Sequence, residues 1–255
     1  MWLKLLAGMI LFGLIAPILV IIPLSFSSSS FFQFPPSGYS LKWYGVFLDN
    51  QEWINAFIRS LYTACLTALL ATILGTMAAT AVTRINFWGK KAFMAIMVAP
   101  MVVPVIIVAI ALYYTFAPMH VTNTLSGLVL AHSVLAVPIV FVTVTTGLKG
   151  IDRRLELASM GLGSTPLGTF FKVTLPLIRP SILSGALFAL ITSLDEVVVT
   201  IFIAGEKTKT LPVVMWENLR TQIDPTIAVV STILIAGTIM IFFVQSWIRY
   251  QVSKF

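Results

Sequence analysis

The run KAFMAIMVAPMVVPVIIVAIALYYTFAPMHVTNTLSGLVLAHSVLAVPIVFVTVTTGLK, residues 91–149, contains no Asp, Glu, Lys or Arg between its two terminal lysines. A helix needs about 20 mostly apolar residues to span a bilayer, so the 57 residues inside the run suffice for two spans around the polar turn at 118–127. Hydrophobic residues make up 58% of the chain and charged residues only 10%, whereas soluble domains carry about a quarter charged residues. The sequence therefore indicates an all-α integral membrane protein.

Four further charge-poor stretches flank this run and complete a set of six transmembrane helices in one domain, 1–255. The predicted spans are 5–24, 60–83, 92–116, 127–148, 178–205 and 226–248. The first span begins like a signal peptide, but its apolar run exceeds the usual core of about 7–15 residues and no Ala-x-Ala site follows. We therefore expect an uncleaved anchor. Pro100 and Pro104 free backbone carbonyls in the third span, where they predict either a kink or a wall of a cavity.

The distribution of basic residues predicts the orientation of the spans. Eleven of the 16 Lys and Arg fall on the side that holds the amino terminus, and five fall on the other side. Because cytoplasmic loops carry the excess of Lys and Arg, we expect both termini in the cytoplasm. The basic residues are scattered over many loops, so the net charge of +7 indicates a lipid bilayer as the surroundings and not a nucleic-acid partner.

Residue types that carry catalysis or bind metals are scarce in this sequence. Cys65 is the only cysteine, and neither His120 nor His132 has a carboxylate at ligand spacing, so we expect no metal and no cofactor. Residues 88–91 lack the first glycine and the hydroxyl of a phosphate-binding loop, so any ATP that drives the protein binds another chain. His132 and Ser193 leave an intramembrane hydrolase as an alternative, but no Gly-x-Ser-x-Gly turn presents the serine. A histidine hydrogen-bonded within a helix bundle is the favoured interpretation.

The longest predicted cytoplasmic loop, 149–177, has a helical pattern of its own. Apolar residues recur at helical spacing on one stripe: Leu155, Ala158 and Leu162. Gly163 can adopt the left-handed conformation that ends a helix, and Thr165 followed by Pro166 suits the start of the next one. The pattern predicts a short amphipathic helix, a sharp turn and a second helix. A helix that rests on the bilayer surface would have the same composition.

This loop resembles the EAA loop of membrane subunits of ATP-binding-cassette importers. Nine residues separate Gly163 from Val173, and Leu175-Pro176 then completes the family's spacing. The Glu-Ala-Ala positions hold Leu157-Ala158-Ser159, while Glu156 lies one residue early. The resemblance implies the type I importer permease fold, and it assigns contact with an ATPase to one set of residues: Leu155, Glu156, Leu157, Ala158, Ser159, Leu162, Gly163 and Pro176.

Two other segments, 34–44 and 193–205, are similar to the spermidine and putrescine permease branch of these importers. The resemblance implies a non-catalytic subunit in a bacterial cytoplasmic membrane. It also implies a homologous second permease, two cytoplasmic ATPases and an external solute-binding protein. Relatives that move other organic solutes, amino-acid-like or opine-like, have similar segments, so a different solute stays open. A secondary transporter is a further alternative, and it would need inverted repeats.

Two adjacent carboxylates, Asp195 and Glu196, fall within the predicted fifth span. A charged residue at the bilayer centre costs about 2.5–3.5 kcal/mol and commonly marks a solute route. If the helix continued to Gly205, the pair would lie about 15 Å from its end, near mid-membrane. We expect a pathway for a cation there, with a purely structural hydrogen-bonded pair as the alternative. Trp216 and Glu217 are weaker pathway candidates, because an aromatic anchor and a loop charge are also common at the interface.

Overall fold

The computed structural model describes residues 2–221 and 224–252. None of these residues belongs to a β-strand, and the predicted all-α fold class is confirmed. The helices in chain order are α1 (Trp2–Ser25), α2 (Lys42–Asp49), α3 (Gln51–Arg84), α4 (Lys90–Val102), α5 (Val105–Phe116), α6 (Leu125–Lys149), α7 (Arg153–Gly161), α8 (Pro166–Thr169), α9 (Leu175–Asp195), α10 (Val198–Ile203), α11 (Leu211–Thr221) and α12 (Thr226–Val252). Residues 253–255, with the predicted cytoplasmic carboxyl terminus, lie outside the described residues.

Five of the helical segments in the described part of the chain are long and apolar enough to cross a membrane. They are α1, α3, α6, the continuous segment Pro166–Asp195 and the apolar part of α12. The segment Pro166–Asp195 joins α8 to α9 through a π-helical turn at Phe170–Thr174. Pro176 follows this turn and has no N–H to donate, which favours a local change in the hydrogen-bond pattern.

The predicted span 92–116 is not one straight helix. Helices α4 and α5 meet at an angle of 109° and make a sixth span only if the bent pair is counted as one. Between them Val103 is extended, as a residue before proline prefers, and Pro104 precedes the first residue of α5. At 13 and 12 residues, each half is about 20 Å long or less. Both are shorter than the hydrocarbon core of about 30 Å.

The chain packs as two compact units. The first unit combines Met1–Phe57 with Val213–Phe242. Its interior contains aromatic side chains from the segment after α1. The buried Trp43 donates its indole N–H to the carbonyl of Ser29 at 3.0 Å. The ring of Tyr44 packs 5.2 Å from that of Phe26, so the segment 26–29 that follows α1 is held by specific contacts.

The second unit combines Ile58–Pro212 with Phe243–Phe255. Its core lies between α3, α6 and α9 and contains many alanines, as helix interfaces in membranes commonly do because small residues let the backbones approach. The buried core residues are Ala68, Ala71, Ala79, Val82, Ala136, Val140, Phe141, Val144, Leu148, Ile178 and Ala189. A smaller core packs α10 against α5 and α6, through Ala109, Leu128, Ala131, Val199 and Ile203. This second core fixes the segment that follows the acidic pair.

Glycines at two crossings of the second unit leave no room for a side chain. A Cβ added to Gly75 in α3 would lie 2.7 Å from the Cβ of Val140 in α6. A Cβ added to Gly147 in α6 would lie 2.6 Å from the Cβ of Ser181 in α9 and would also meet its hydroxyl. The crossings of α6 with α3 and α9 therefore depend on the missing side chains.

We predict that Gly147→Ala lowers the stability of the protein, because the added methyl forces α6 and α9 apart. Overpacking of this kind costs about 1–3 kcal/mol, to be measured as a lower thermal unfolding midpoint in detergent. Gly237→Ala is the matched control, since a Cβ at Gly237 in α12 meets nothing within 4 Å. Adding Ser181→Gly to Gly147→Ala should restore the midpoint. Equal midpoints for the two single variants would contradict the packing argument.

Candidate functional site

The acidic pair lies at a break between two helices. Asp195 is the last residue of α9, and Glu196 has extended backbone angles before α10 begins at Val198. The prediction of one continuous helix over 178–205 is therefore wrong, and the distance of about 15 Å derived from it does not apply. The Asp195 side chain is exposed and Glu196 is half-buried.

The Glu196 carboxylate itself stabilises the start of α10. Its Oε1 accepts the backbone N–H of Val199 at 2.8 Å, and its backbone carbonyl accepts the hydroxyl of Thr200 at 3.1 Å. The first N–H groups of a helix have no partner within the helix, and a carboxylate there also interacts favourably with the helix dipole. The side chain that a solute route would use therefore also caps the helix.

His132 in α6 bridges the two sides of this break. Its Nδ1 lies 2.8 Å from the hydroxyl of Ser193 in α9, and its Nε2 lies 2.9 Å from the hydroxyl of Thr200 in α10. All three side chains are buried. The prediction of a histidine hydrogen-bonded within the bundle is confirmed. Because Thr200 donates its hydroxyl proton to the carbonyl of Glu196, it accepts the N–H of His132 Nε2, and Nδ1 then accepts the hydroxyl of Ser193.

The contact between His132 and Ser193 does not have the features of a hydrolytic site. The ring nitrogen of His132 that faces away from Ser193 meets the hydroxyl of Thr200, whereas a catalytic triad orients its base with a carboxylate. Ser193 lies within α9 and is only 4% exposed. The network therefore holds α9 and α10 in register against α6.

Trp216 and Glu217 lie in α11, in the part of the chain that belongs to the first unit, whereas the acidic pair belongs to the second. The guanidinium of Arg220 lies 4.6 Å from the ring centroid of Trp216. A cation from this protein thus already contacts the aromatic face that was predicted to receive a solute. The assignment of these two residues to a pathway stays a prediction.

The loop at 149–177 has the predicted helix, turn and second helix. Asp152 caps α7 by accepting the N–H of Arg154 at 2.9 Å. Gly163 has a φ of 91°, in the left-handed region that only glycine adopts easily. Thr165 then caps the next helix by accepting the N–H of Gly168 at 3.1 Å, with Pro166 as its first residue. The predicted helix, the left-handed turn at Gly163 and the start of the next helix at Thr165 and Pro166 are confirmed, whereas the cap at Asp152 was not predicted.

The apolar side chains of α7 and its end point away from the second unit's interior. The side chains of Leu155 and Leu157 are about half exposed, and Leu162 is 91% exposed. Ala158 is also exposed. Ser159 turns inwards, where its hydroxyl lies 3.1 Å from that of Thr169. The loop therefore presents a short apolar surface, which we call the apolar stripe and define as Leu155, Leu157, Ala158 and Leu162.

Glu156 faces the opposite way and is only 7% exposed. Its Oε2 lies 2.8 Å from Nε of Arg84, the last residue of α3. Its Oε1 accepts the hydroxyl of Thr174 at 2.8 Å, and Arg84 also donates to the carbonyl of Leu148 at 3.2 Å. This cluster was not predicted. The sequence signal was the position of Glu156 one residue ahead of the family pattern, which turns its side chain to another face of the helix.

Relatives of this chain include named transport permeases. It is 32% identical to the putrescine transport system permease protein PotI of Escherichia coli K12, over 94% of this chain and 88% of that protein. It is 32% identical to the spermidine/putrescine transport system permease protein PotC of Haemophilus influenzae, over 86% and 85%. A probable molybdenum ABC transporter permease of Haloferax volcanii is 31% identical over 69% of each chain.

Solved structures share the fold at low sequence identity. A bacterial ABC transporter that imports the acidic polysaccharide alginate matches 97% of this chain and 94% of its own, with a TM-score of 0.74 and 15% identity. The MetNI methionine ABC transporter matches 80% and 99%, with a TM-score of 0.61 and 18% identity. The predicted importer permease fold is confirmed.

The sequence profile of one family covers most of the chain. It is described as "binding-protein-dependent transport system inner membrane component" and matches residues 71–254. This range contains the helix break, the His132 network and the apolar stripe. The chain therefore belongs to the family of inner membrane components of binding-protein-dependent transport systems, whose members are non-catalytic permease subunits.

Proposed function

We propose that this chain is the permease subunit of an ATP-driven importer for polyamines such as putrescine and spermidine. The observation that carries the proposal is identity along nearly the whole chain to permeases named for those two solutes. The carboxylates of Asp195 and Glu196 support a cationic solute independently of any relative. The solute crosses a bacterial cytoplasmic membrane without bond chemistry in this subunit.

The carboxylates of Asp195 and Glu196 would bind the cationic solute transiently along its route. Asp195 is exposed, and its carboxylate can accept charge-assisted hydrogen bonds from the ammonium groups of a polyamine. Glu196 adds a second negative charge while it caps α10. A solute shifts a conformational equilibrium only by interacting differently with its states. A break between helices, where backbone angles can change, provides such a difference more readily than a continuous helix does.

A permease for a different small solute in the same family is the second candidate. A relative named for molybdenum is 31% identical over 69% of this chain, against 32% over 94% for the putrescine permease, so the percentage identity without the coverage does not select the solute. The two adjacent carboxylates favour a cation, because a negative solute would be repelled by both. Membership of a binding-protein-dependent family argues against a secondary transporter.

We predict that Asp195→Asn combined with Glu196→Gln lowers polyamine uptake at least tenfold. Both changes remove charge and nearly preserve shape, and the amide oxygen of Gln can still accept the N–H of Val199. The complete complex is reconstituted in proteoliposomes with radiolabelled putrescine and spermidine. Uptake is normalised to assembled complex, so that a loss of folding is counted separately.

The matched control for this experiment is Asp49→Asn with Glu52→Gln. It also removes one aspartate and one glutamate charge, but from exposed positions between α1 and the apolar part of α3. Uptake of the control should match the wild type. Normal uptake by the Asp195→Asn, Glu196→Gln variant would exclude the cation route, and a lower yield with normal uptake per complex would assign the pair a structural role.

The partners follow from the same proposal. The sequence has no phosphate-binding loop, so two cytoplasmic ATPases would supply the energy. A homologous second permease would complete the route, and an external solute-binding protein would deliver the polyamine. The apolar stripe would dock into a groove on an ATPase, since an exposed set of leucines on a short helix suits recognition by an apolar groove. Gly163 would set the angle between this helix and the next.

We predict that Gly163→Val lowers the stimulation of ATP hydrolysis by polyamine at least fivefold. A β-branched residue is strained at a φ of 91°, so the turn should open and displace the apolar stripe. Gly161→Val adds the same side chain two residues earlier, where the backbone is helical and a Cβ meets nothing within 4 Å. It should keep at least half of the stimulation. The docking proposal fails if the two variants are equally stimulated.

The proposed orientation places the 85–89 loop in the cytoplasm and the 204–210 loop outside, with both termini cytoplasmic. Its support is the division of basic residues, eleven to five. The same orientation places the apolar stripe on the side where the ATPases would bind. The loops also offer exposed positions for labelling, because Trp88 is fully exposed and Lys207 is exposed.

We predict that an impermeant thiol reagent labels Lys207→Cys but not Trp88→Cys in cells whose cytoplasmic membrane is intact. Any outer membrane is permeabilised first, so that the reagent reaches the cytoplasmic membrane. Both variants are made with Cys65→Ala, because the native Cys65 is exposed. Opening the cytoplasmic membrane should make Trp88→Cys reactive, which shows that the residue is accessible from the inside. The reverse labelling pattern would overturn the orientation.

A further inference from the structure

Arg84, Glu156 and Thr174 form a buried polar cluster that no step of the proposed route uses. Arg84 ends α3, Glu156 lies in α7, and Thr174 ends the π-helical turn that leads into α9. The side chain of Arg84 is 17% exposed and that of Glu156 is 9% exposed. The cluster joins three elements, and through Leu148 it reaches the end of α6 as well.

The charges of the cluster match the ends of the helices that carry them. Arg84 lies in the last turn of α3 and Glu156 in the first turn of α7, so each charge interacts favourably with the dipole of its own helix. A hydrogen bond from Arg84 to Glu156 joins α3 to α7. The two helices also border a largely apolar cavity of about 920 Å³, whose lining includes Arg84 and Glu156 themselves. The ion pair is therefore a specific polar contact that joins α3 to α7.

We infer that Arg84 and Glu156 are positioning residues that carry displacement of α7 into α3 and α9, and that Glu156 does not contact the ATPase. The inference rests on the proposed function, in which the apolar stripe of α7 binds an ATPase. A force on the exposed face of α7 reaches Glu156 on its other face. There both carboxylate oxygens contact Nε of Arg84 in α3, at 2.8 and 3.0 Å, and Oε1 also accepts the hydroxyl of Thr174 before α9.

A buried ion pair suits this role better than apolar packing does. Its geometry is specific, because both carboxylate oxygens of Glu156 have assigned partners. Loss of one partner leaves the other charge buried and unpaired, whereas loss of both charges leaves none. Residues that act as one unit show non-additive effects when both are changed. The double variant therefore distinguishes a connected pair from two independent contacts.

The test compares Arg84→Gln, Glu156→Gln and the double variant in the complete complex. Stimulation of ATP hydrolysis by solute-binding protein loaded with putrescine is measured per recovered ATPase in proteoliposomes. Each single variant should lower stimulation at least fivefold while ATPase is recovered with the permease as in the wild type. The double variant should be within twofold of the single variants. Glu206→Gln with Lys209→Gln is the matched control, because it removes another ion pair, formed outside this cluster, and should leave stimulation unchanged.

Four results would overturn the inference. They are wild-type stimulation in the single variants, multiplied losses in the double variant, loss of the ATPase with Glu156→Gln alone, and failure of the double variant to assemble. The third result would place Glu156 against the ATPase, and the fourth would make the cluster only structural. Failure of the proposed function is read separately, as a wild-type complex that putrescine-loaded binding protein does not stimulate.

Discussion

In hydrocarbon each backbone N–H and C=O must be satisfied within the protein, and a helix break within a membrane span has to meet that constraint. Between α9 and α10, Glu196 accepts the N–H of Val199, and His132 joins the hydroxyls of Ser193 and Thr200 across the gap. The carboxylate and the imidazole thus make a break possible where a continuous helix is the default. Glu196 therefore has a structural role at the break.

The loop at 149–177 also buries a polar group only where the protein satisfies it, but its apolar side chains are the exposed ones. Leucines of α7 are exposed, whereas Glu156 is buried against Arg84. An amphipathic helix on a soluble core would show the reverse arrangement. Exposed leucines are expected where another protein covers them, and a buried carboxylate is tolerated because a guanidinium and a hydroxyl satisfy it. Helix α7 thus has an exposed apolar face that another protein could cover and a polar residue, Glu156, that faces the rest of this chain.

Local chemistry allowed the sequence to predict most helices and the turn at Gly163, because apolar run length, capping residues and glycine act within a few residues of each other. The helix break after Asp195 was not predictable in the same way. It depends on His132, which is more than 60 residues away in the chain. The Arg84–Glu156 pair is likewise a long-range contact. Charge-poor runs show where a chain crosses a membrane, but not where tertiary contacts interrupt a helix.

One helical segment links the helix break after Asp195 to the Arg84–Glu156 ion pair. The segment Pro166–Asp195 is 30 residues long, or about 45 Å, and it begins just after the turn at Gly163. Thr174 holds its first part to Glu156, and its last residue, Asp195, is one of the two adjacent carboxylates. Because a packed helix moves nearly as a rigid body, displacement at the loop must alter the surroundings of Asp195 unless the π-helical turn absorbs it. That turn ends at Thr174, so the polar cluster holds the segment at the place where it is least regular.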